Sequence, residues 1–227
     1  MVHYNLDKLA AAVSASRGGT QRAGSAAKRA KTQASAERQE SAAAQKFKAR
    51  IAMIRASQGG DESISNAAAT EYANVLRAAG YDIDEINLGD VPFVDAWDEK
   101  FQNEHKERLK RSQATVFATP VYNWGPSARL NAYIQNAVKA GHDPYRPYAV
   151  LGAAGSPRAQ GYLHGIQNAV AMEDKGINVG APLVATESDV VYKGDKVVGV
   201  SAAYKKRLAE HAHILGMLAQ NRHTSSR

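Results

Sequence analysis

The chain has 227 residues, 44% of them hydrophobic and 22% charged, which is enough apolar content for a folded core and excludes wholesale disorder. Cysteine is absent, which excludes a disulfide framework, Cys-ligated zinc, iron–sulfur clusters and thiol catalysis. The formal charge of +7 lies at one end: residues 1–50 hold ten Lys/Arg and three Asp/Glu, and the remaining nineteen of each sign cancel.

Residues 1–47 are dominated by Ala, Ser, Gly, Lys and Arg, with almost no large apolar residue after Val13. Such a stretch buries too little surface to offset the entropy of ordering it. Two pieces have helical character. Asn5 is placed to cap residues 6–13, with Leu6, Leu9 and Val13 on one face. Residues 35–48 are rich in strong helix formers, and residues 16–33 read as linker. The segment is expected to be a basic arm, separate from a domain over residues 48–220 and a C-terminal tail over 221–227. Three roles stay open for it: a flexible tail, an arm that docks on an acidic partner or a sister subunit, or a targeting presequence. Asp7, Glu37 and Glu40 count against the last. Location is therefore expected to be cytoplasmic, with an organelle as the alternative if a presequence is included. No aromatics beyond Tyr4 interleave with the arm's charges, which argues against nucleic acid. No apolar run in the chain approaches the roughly 18 residues of a membrane span.

From residue 50 the pattern alternates strand and helix. Residues 50–56 form a short apolar run, followed by a Gly- and Ser-rich loop over 57–65. A helix over 66–79 ends at Gly80. Residues 81–88 read as strand two, 99–111 as a charged helix, and 114–118 as a buried central strand. After a loop at 119–126 come a helix at 127–140 and a fourth strand at 148–153. A third loop at 155–161 leads to a helix over 162–175 and a fifth strand within 179–187. Residues 190–192 and 196–200 flank Lys193-Gly194-Asp195, a hairpin signal, and a final helix over 201–220 is capped by Ser201. Five strands alternating with helices predict a parallel sheet covered on both faces. Ligands of such sheets sit beyond the carboxyl ends of the strands. Here those ends are the loops at 57–65, 119–126 and 154–161, all rich in Gly, Ser, Pro and Asn.

The first loop runs from strand one into a helix N-terminus, where backbone N–H groups and hydroxyls hold anions. It has neither the Gly-Lys-Ser/Thr of a Walker loop nor a G-x-G-x-x-G. Asp61 and Glu62 repel phosphate unless they point outward. No H-E-x-x-H or carboxylate–histidine cluster points to a metal, and no G-x-S-x-G to a serine nucleophile. His164, just after the third loop, and Arg158, within it, are candidates for lining a pocket. The helix at 127–140 carries Leu130, Tyr133, Ile134 and Val138 as one apolar stripe, wider than a sheet contact needs, and so predicts a subunit interface.

The second loop, Thr119-Pro120-Val121-Tyr122-Asn123-Trp124-Gly125-Pro126, resembles the segment after strand three in the NADPH-dependent FMN reductase family. The resemblance extends over roughly residues 49–218. It implies a flavodoxin-like, doubly wound, five-stranded parallel sheet in the order 2-1-3-4-5, with the arm outside it. It implies bound FMN, with NADPH or NADH as co-substrate and a small acceptor such as free flavin, a quinone, an azo compound or a metal ion. By position, Ser57, Ser63, Ser65 and Asn66 would hold the FMN phosphate. Pro120, Val121, Tyr122, Asn123 and Trp124 would border the isoalloxazine, and Ala154, Gly155 and Ser156 would close its other side. No side-chain acid or base is expected to be catalytic, and a homodimer or homotetramer is implied. The chain departs from the family's pattern at Gln58, where an Arg is usual, and at Pro126, which follows Gly125 directly. It also has Gly155-Ser156-Pro157-Arg158 in place of a Gly-Gly pair. These departures leave a second role open: a flavodoxin-like subunit of a larger assembly, tethered by its arm, with flavin structural or absent.

Overall fold

Strand β1 (Arg50–Arg55) is buried at its four central positions. That double-sided burial is what a continuous apolar run at the centre of a parallel sheet produces. The computed structural model describes residues 48–91, 99–122, 125–138 and 143–225. The helices expected at 6–13 and 35–48 and the linker between them lie outside the described residues, save for Lys48. From β1 the chain passes through a short 3-10 turn at Gly60–Glu62 into α1 (Ile64–Ala78). Helix α1 starts two residues earlier than the apolar pattern predicts. The Ser63 hydroxyl accepts the Asn66 N–H at 3.1 Å and so caps it. Gly80, at φ +88°, turns the chain into β2 (Asp82–Asn87).

The remaining elements are α2 (Glu99–Lys110), β3 (Ala114–Tyr122), β4 (Gly125–Pro126), α3 (Ala128–Tyr133), β5 (Pro147–Ala153) and α4 (Gln160–Asp174). They are followed by β6 (Ile177–Asn178), β7 (Leu183–Ala185), β8 (Val190–Lys193), β9 (Lys196–Val200) and α5 (Ala202–Ser225). The sheet order is β2-β1-β3-β5-β6, with β7 also pairing β5 and all of these contacts parallel. Since β6 and β7 together make the fifth strand, this is the expected order 2-1-3-4-5. The hairpin β8–β9 forms a separate antiparallel pair.

Helices α1 and α5 cover one face of the sheet, and α2, α3 and α4 cover the other. The first core joins Ile51, Met53, Val116 and Leu151 to Tyr72, Leu76, Tyr204 and Leu208. The second joins Ile54, Phe117 and Val150 to Leu109, Leu130, Leu163 and Ile166. At the β2 margin Asp82 pairs with Arg50, Asp84 with Arg108, and Glu85 with both Arg55 and Arg77.

Besides the start of α1, several other boundaries differ from the expected ones. Strand β3 continues through Pro120 to Tyr122, and β4 folds back on it, pairing Val121 with Pro126 and Tyr122 with Gly125. Strand β1 stops at Arg55, so β3 has an open margin beyond Ala118 where a proline interrupts no ladder. The fifth strand is split between Asn178 and Leu183, across Gly180 and Pro182. Helix α3 passes into a π-helical turn at Ile134–Val138. Helix α5 runs to Ser225, five residues past the expected end. The apolar stripe expected to face a second subunit is buried in the chain's own core: Leu130, Tyr133, Ile134 and Val138 are all at most 2% exposed. Among the described residues no helix is long and apolar enough to cross a membrane.

Candidate functional site

Three loops at the carboxyl ends of β1, β3 and β5 converge on one cavity of about 350 Å³, within the roughly 300–1,000 Å³ of small-molecule sites. One end is built from the first loop. Ser57, Ser63 and Ser65 are buried, and their hydroxyls meet. Ser63 Oγ donates to Ser57 Oγ at 2.7 Å and lies 3.0 Å from Ser65 Oγ. Ser57 Oγ also accepts the Gly59 N–H at 3.2 Å. The cluster stands at the start of α1, whose first N–H groups, those of Ile64 and Ser65, have no acceptor within the helix. Hydroxyls and N–H groups aimed together at a helix N-terminus make a donor set for an oxyanion.

Asn66 braces this end rather than lining it. Its amide nitrogen donates to the Gly60 carbonyl at 3.3 Å, and its Oδ1 is buried without a hydrogen-bond partner. Gly60 itself takes φ +52°, which a side chain would resist. Beneath the loop, Arg55 donates to Thr70 Oγ1 at 2.8 Å and pairs with Glu85 at 2.7 Å. Burial lowers its pKa, and Glu85 opposes that shift.

The walls come from β3 and β5. Pro120, Val121 and Tyr122 lie on the β3–β4 hairpin, and Pro120 stands in register with Ala153 of β5. Thr119 fixes the hairpin's base: its hydroxyl donates to the Pro120 carbonyl at 2.9 Å and accepts the Ser127 N–H at 3.0 Å. Tyr122 is 60% exposed, an aromatic ring at the rim. Ala154 and Gly155 complete the wall, and the Ala154 N–H donates to the Ala185 carbonyl at 3.0 Å. The walls are therefore apolar, and the polar groups gather at the serine end.

Of the residues expected from the sequence, the structure brings together Ser57, Ser63, Ser65, Pro120, Val121, Tyr122, Ala154 and Gly155. Asn66 and Ser156 are not among the lining residues. Ser156 caps the short turn after it by accepting the Arg158 N–H at 3.3 Å. Asn123 and Trp124 lie outside the described residues. Arg158 is exposed and does not line the cavity, and His164 bonds Gln167 at 2.7 Å instead. Gly59, Glu62, Ile64 and Ala153 line the cavity without having been singled out for it. Ala153 and Ile64 were legible as neighbours of nominated residues. Among the described lining residues, Glu62 alone carries a formal charge. A larger groove of about 580 Å³ lies between α1 and α5, lined by Leu76, Tyr81, Ala212 and Met217. It sits at the amino ends of the strands and lacks a convergent donor set, so the smaller cavity is the better candidate.

A family model described as the flavodoxin-like fold matches residues 49–170. No curated protein matches the sequence. Among solved structures the chain is similar to an oxidoreductase from Corynebacterium diphtheriae, at TM-score 0.58 and 18% identity over 75% of this chain and 96% of that one. It is also similar to the apo form of EMOB, an NADH:FMN oxidoreductase, at TM-score 0.59 and 16% identity over 74% and 89%. A third is FerB, a flavoenzyme NAD(P)H:(acceptor) oxidoreductase from Paracoccus denitrificans, at TM-score 0.54 and 13% identity over 77% and 98%. At these identities the structural likeness shows the fold.

Proposed function

Because the chain belongs to the family of flavodoxin-like NAD(P)H oxidoreductases, we propose that it is an FMN-dependent enzyme that uses NADH or NADPH to reduce a small acceptor. The observation that carries this is the shape of one cavity, with three buried serine hydroxyls at one end and apolar walls from β3 and β5 beside them. The donor set suits a phosphate monoester, and the uncharged walls suit a planar ring system. When bound, FMN supplies the redox chemistry, receiving hydride from the nicotinamide and giving reducing equivalents to the acceptor.

The chain's own residues bind, orient and shield. Ser57, Ser63 and Ser65 would hold the phosphate with the free N–H groups of α1. Pro120, Val121, Ala154 and Gly155 would flank the ring and keep water from one of its sides. Tyr122, exposed at the rim, would offer a stacking surface to whichever planar molecule occupies the open side. No described lining residue is a lysine, arginine or histidine. The phosphate would therefore be held by hydrogen bonds and the α1 terminus rather than by a paired cation, with Glu62 turned toward solvent.

The test is to release any bound cofactor by heat, identify it, and titrate FMN into the stripped protein. FMN is expected to bind and to restore NAD(P)H oxidation. Replacing Ser57 and Ser65 together with Asp places like charge where the phosphate sits. FMN affinity should then fall by about 100-fold or more, since two charges about 4 Å apart repel by several kcal/mol at a protein surface. Unchanged affinity in the double variant would remove the phosphate assignment. Colourless protein that FMN cannot reconstitute would remove the enzyme.

A further inference from the structure

The turn after β2 does not line the cavity, yet it presses against the residue that starts it. Leu88–Asp90 form a 3-10 turn. A Cβ placed on Gly89 would stand 2.0 Å from the Ser57 carbonyl oxygen and 3.0 Å from its carbon. The obstacle is backbone, which cannot swing aside as the end of a long side chain does. The turn is held from two sides. Asn87 Oδ1 accepts the Gly89 N–H at 3.1 Å, and Asn87 Nδ2 donates to Asp90. Arg129, in the first turn of α3, donates to the Leu88 carbonyl at 2.9 Å and also to that of Val91. Arg129 follows the β3–β4 hairpin by three residues. The β2 turn is thus wedged between the two loops that build the cavity, backing the serine end and gripped by the helix that leaves the wall.

We propose that Gly89 is a positioning residue for the anion end of the cavity. Its lack of a side chain lets the Leu88–Asp90 turn back Ser57 closely enough to keep the Ser57 hydroxyl in reach of Ser63, and Arg129 clamps the turn in that place. This rests on the serine cluster being a phosphate cradle.

FMN and riboflavin differ only by the phosphate, so their ratio of affinities isolates that end. Both are titrated by flavin fluorescence into full-length wild type, Gly89→Ala and Arg129→Met, with circular dichroism and melting temperature recorded for each. Wild type should prefer FMN, and Gly89→Ala should lose about tenfold or more of FMN affinity while riboflavin affinity holds within about twofold. Arg129→Met should shift the ratio the same way by less. A folded Gly89→Ala that loses both flavins equally, or neither, overturns the proposal. If Gly89→Ala does not fold, Arg129→Met decides on the same ratio. A wild type with no preference for FMN overturns the cradle itself, and the proposal with it.

Discussion

The two faces of the sheet are packed with different side chains, and the site draws on both. Under α1 and α5 the contact is lined with alanine: Ala68, Ala69 and Ala73 on α1, Ala212 and Ala219 on α5, and Ala114, Ala118 and Ala149 on the strands. Such small side chains let helix and sheet backbones approach closely, and the two helices run unbroken for 15 and 24 residues. The opposite face is filled by Ile54, Ile86, Leu130, Ile134, Leu163 and Ile166. There α3 lasts 6 residues before its π-helical turn. A close alanine contact leaves a helix little freedom to shift, whereas branched aliphatic side chains repack. The serine end of the cavity sits on the first kind of helix, and the walls lead into helices of the second kind.

The largest expected effect probes the bulky face. Leu163 is fully buried, and its Cδ1 lies where a Cβ on Gly152 would be 2.2 Å away. Leu163→Ala should cost about 2–5 kcal/mol, read from urea unfolding. On the alanine face the sign of the volume change is reversed. Ala69→Leu should cost about 1–3 kcal/mol by overpacking the α1 contact. An Ala69→Leu protein as stable as its parent would show that the alanine face has room to give, and the contrast would collapse.

Each face also holds one histidine withdrawn from solvent, His105 buried and His211 partly buried, which sharpens the comparison by pH. On the bulky side His105 lies 3.1 Å from the Tyr133 hydroxyl and stacks on Phe101. On the alanine side His211 Nδ1 lies 2.9 Å from the Tyr72 hydroxyl, while its Nε2 is buried without a partner. Burial lowers both pKa values below the usual 6.5, and for His105 the nearby Arg108 adds to the shift. Below about pH 6.5 the unfolded chain therefore binds more protons than the folded one. The stability due to these rings is complete above that pH and is lost as pH falls through the folded values. Unfolding midpoints measured from pH 7.5 to 5 should fall, and His105→Gln and His211→Gln should each flatten the fall. A slope untouched by both substitutions would assign the acid sensitivity elsewhere. The smallest effect is expected from deleting residues 1–47, since the shift in composition near residue 48 marks the edge of the domain. The melting temperature should move by less than about 2 °C and flavin binding should persist.

Most of the fold was legible because its elements obey simple periods. The alternation of apolar runs with capped, Gly-ended helices predicts five strands, and the Lys193-Gly194-Asp195 signal marks the β8–β9 hairpin where it occurs. What stayed hidden depends on distance rather than pattern. Pro120 reads as loop, because nothing local tells that β3 has lost its neighbour beyond Ala118. Leu130, Tyr133, Ile134 and Val138 satisfy an α-helical stripe and a π-helical turn equally well. Their burial against the sheet, rather than a second chain, is decided by the position of α2 and α4. The serine cluster was legible from its place after strand one. Gly89 was not, because a glycine in the turn after a strand looks the same whether or not another backbone lies 2.0 Å from its absent Cβ.

The margins of the sheet have a consequence for how the chain behaves when concentrated. Strand β2 carries Asp82, Asp84 and Glu85, each tied to arginine, so a foreign strand approaching that side meets charge. The far side is cut into two short pieces, β6 and β7, with Pro182 directly before the second. The far margin is too short to offer a long row of free N–H and C=O groups, the template on which strands from other molecules add, and the six-residue β2 margin is guarded by its charges instead. Among the described residues, charge on one side and brevity on the other thus discourage aggregation by strand addition to the sheet.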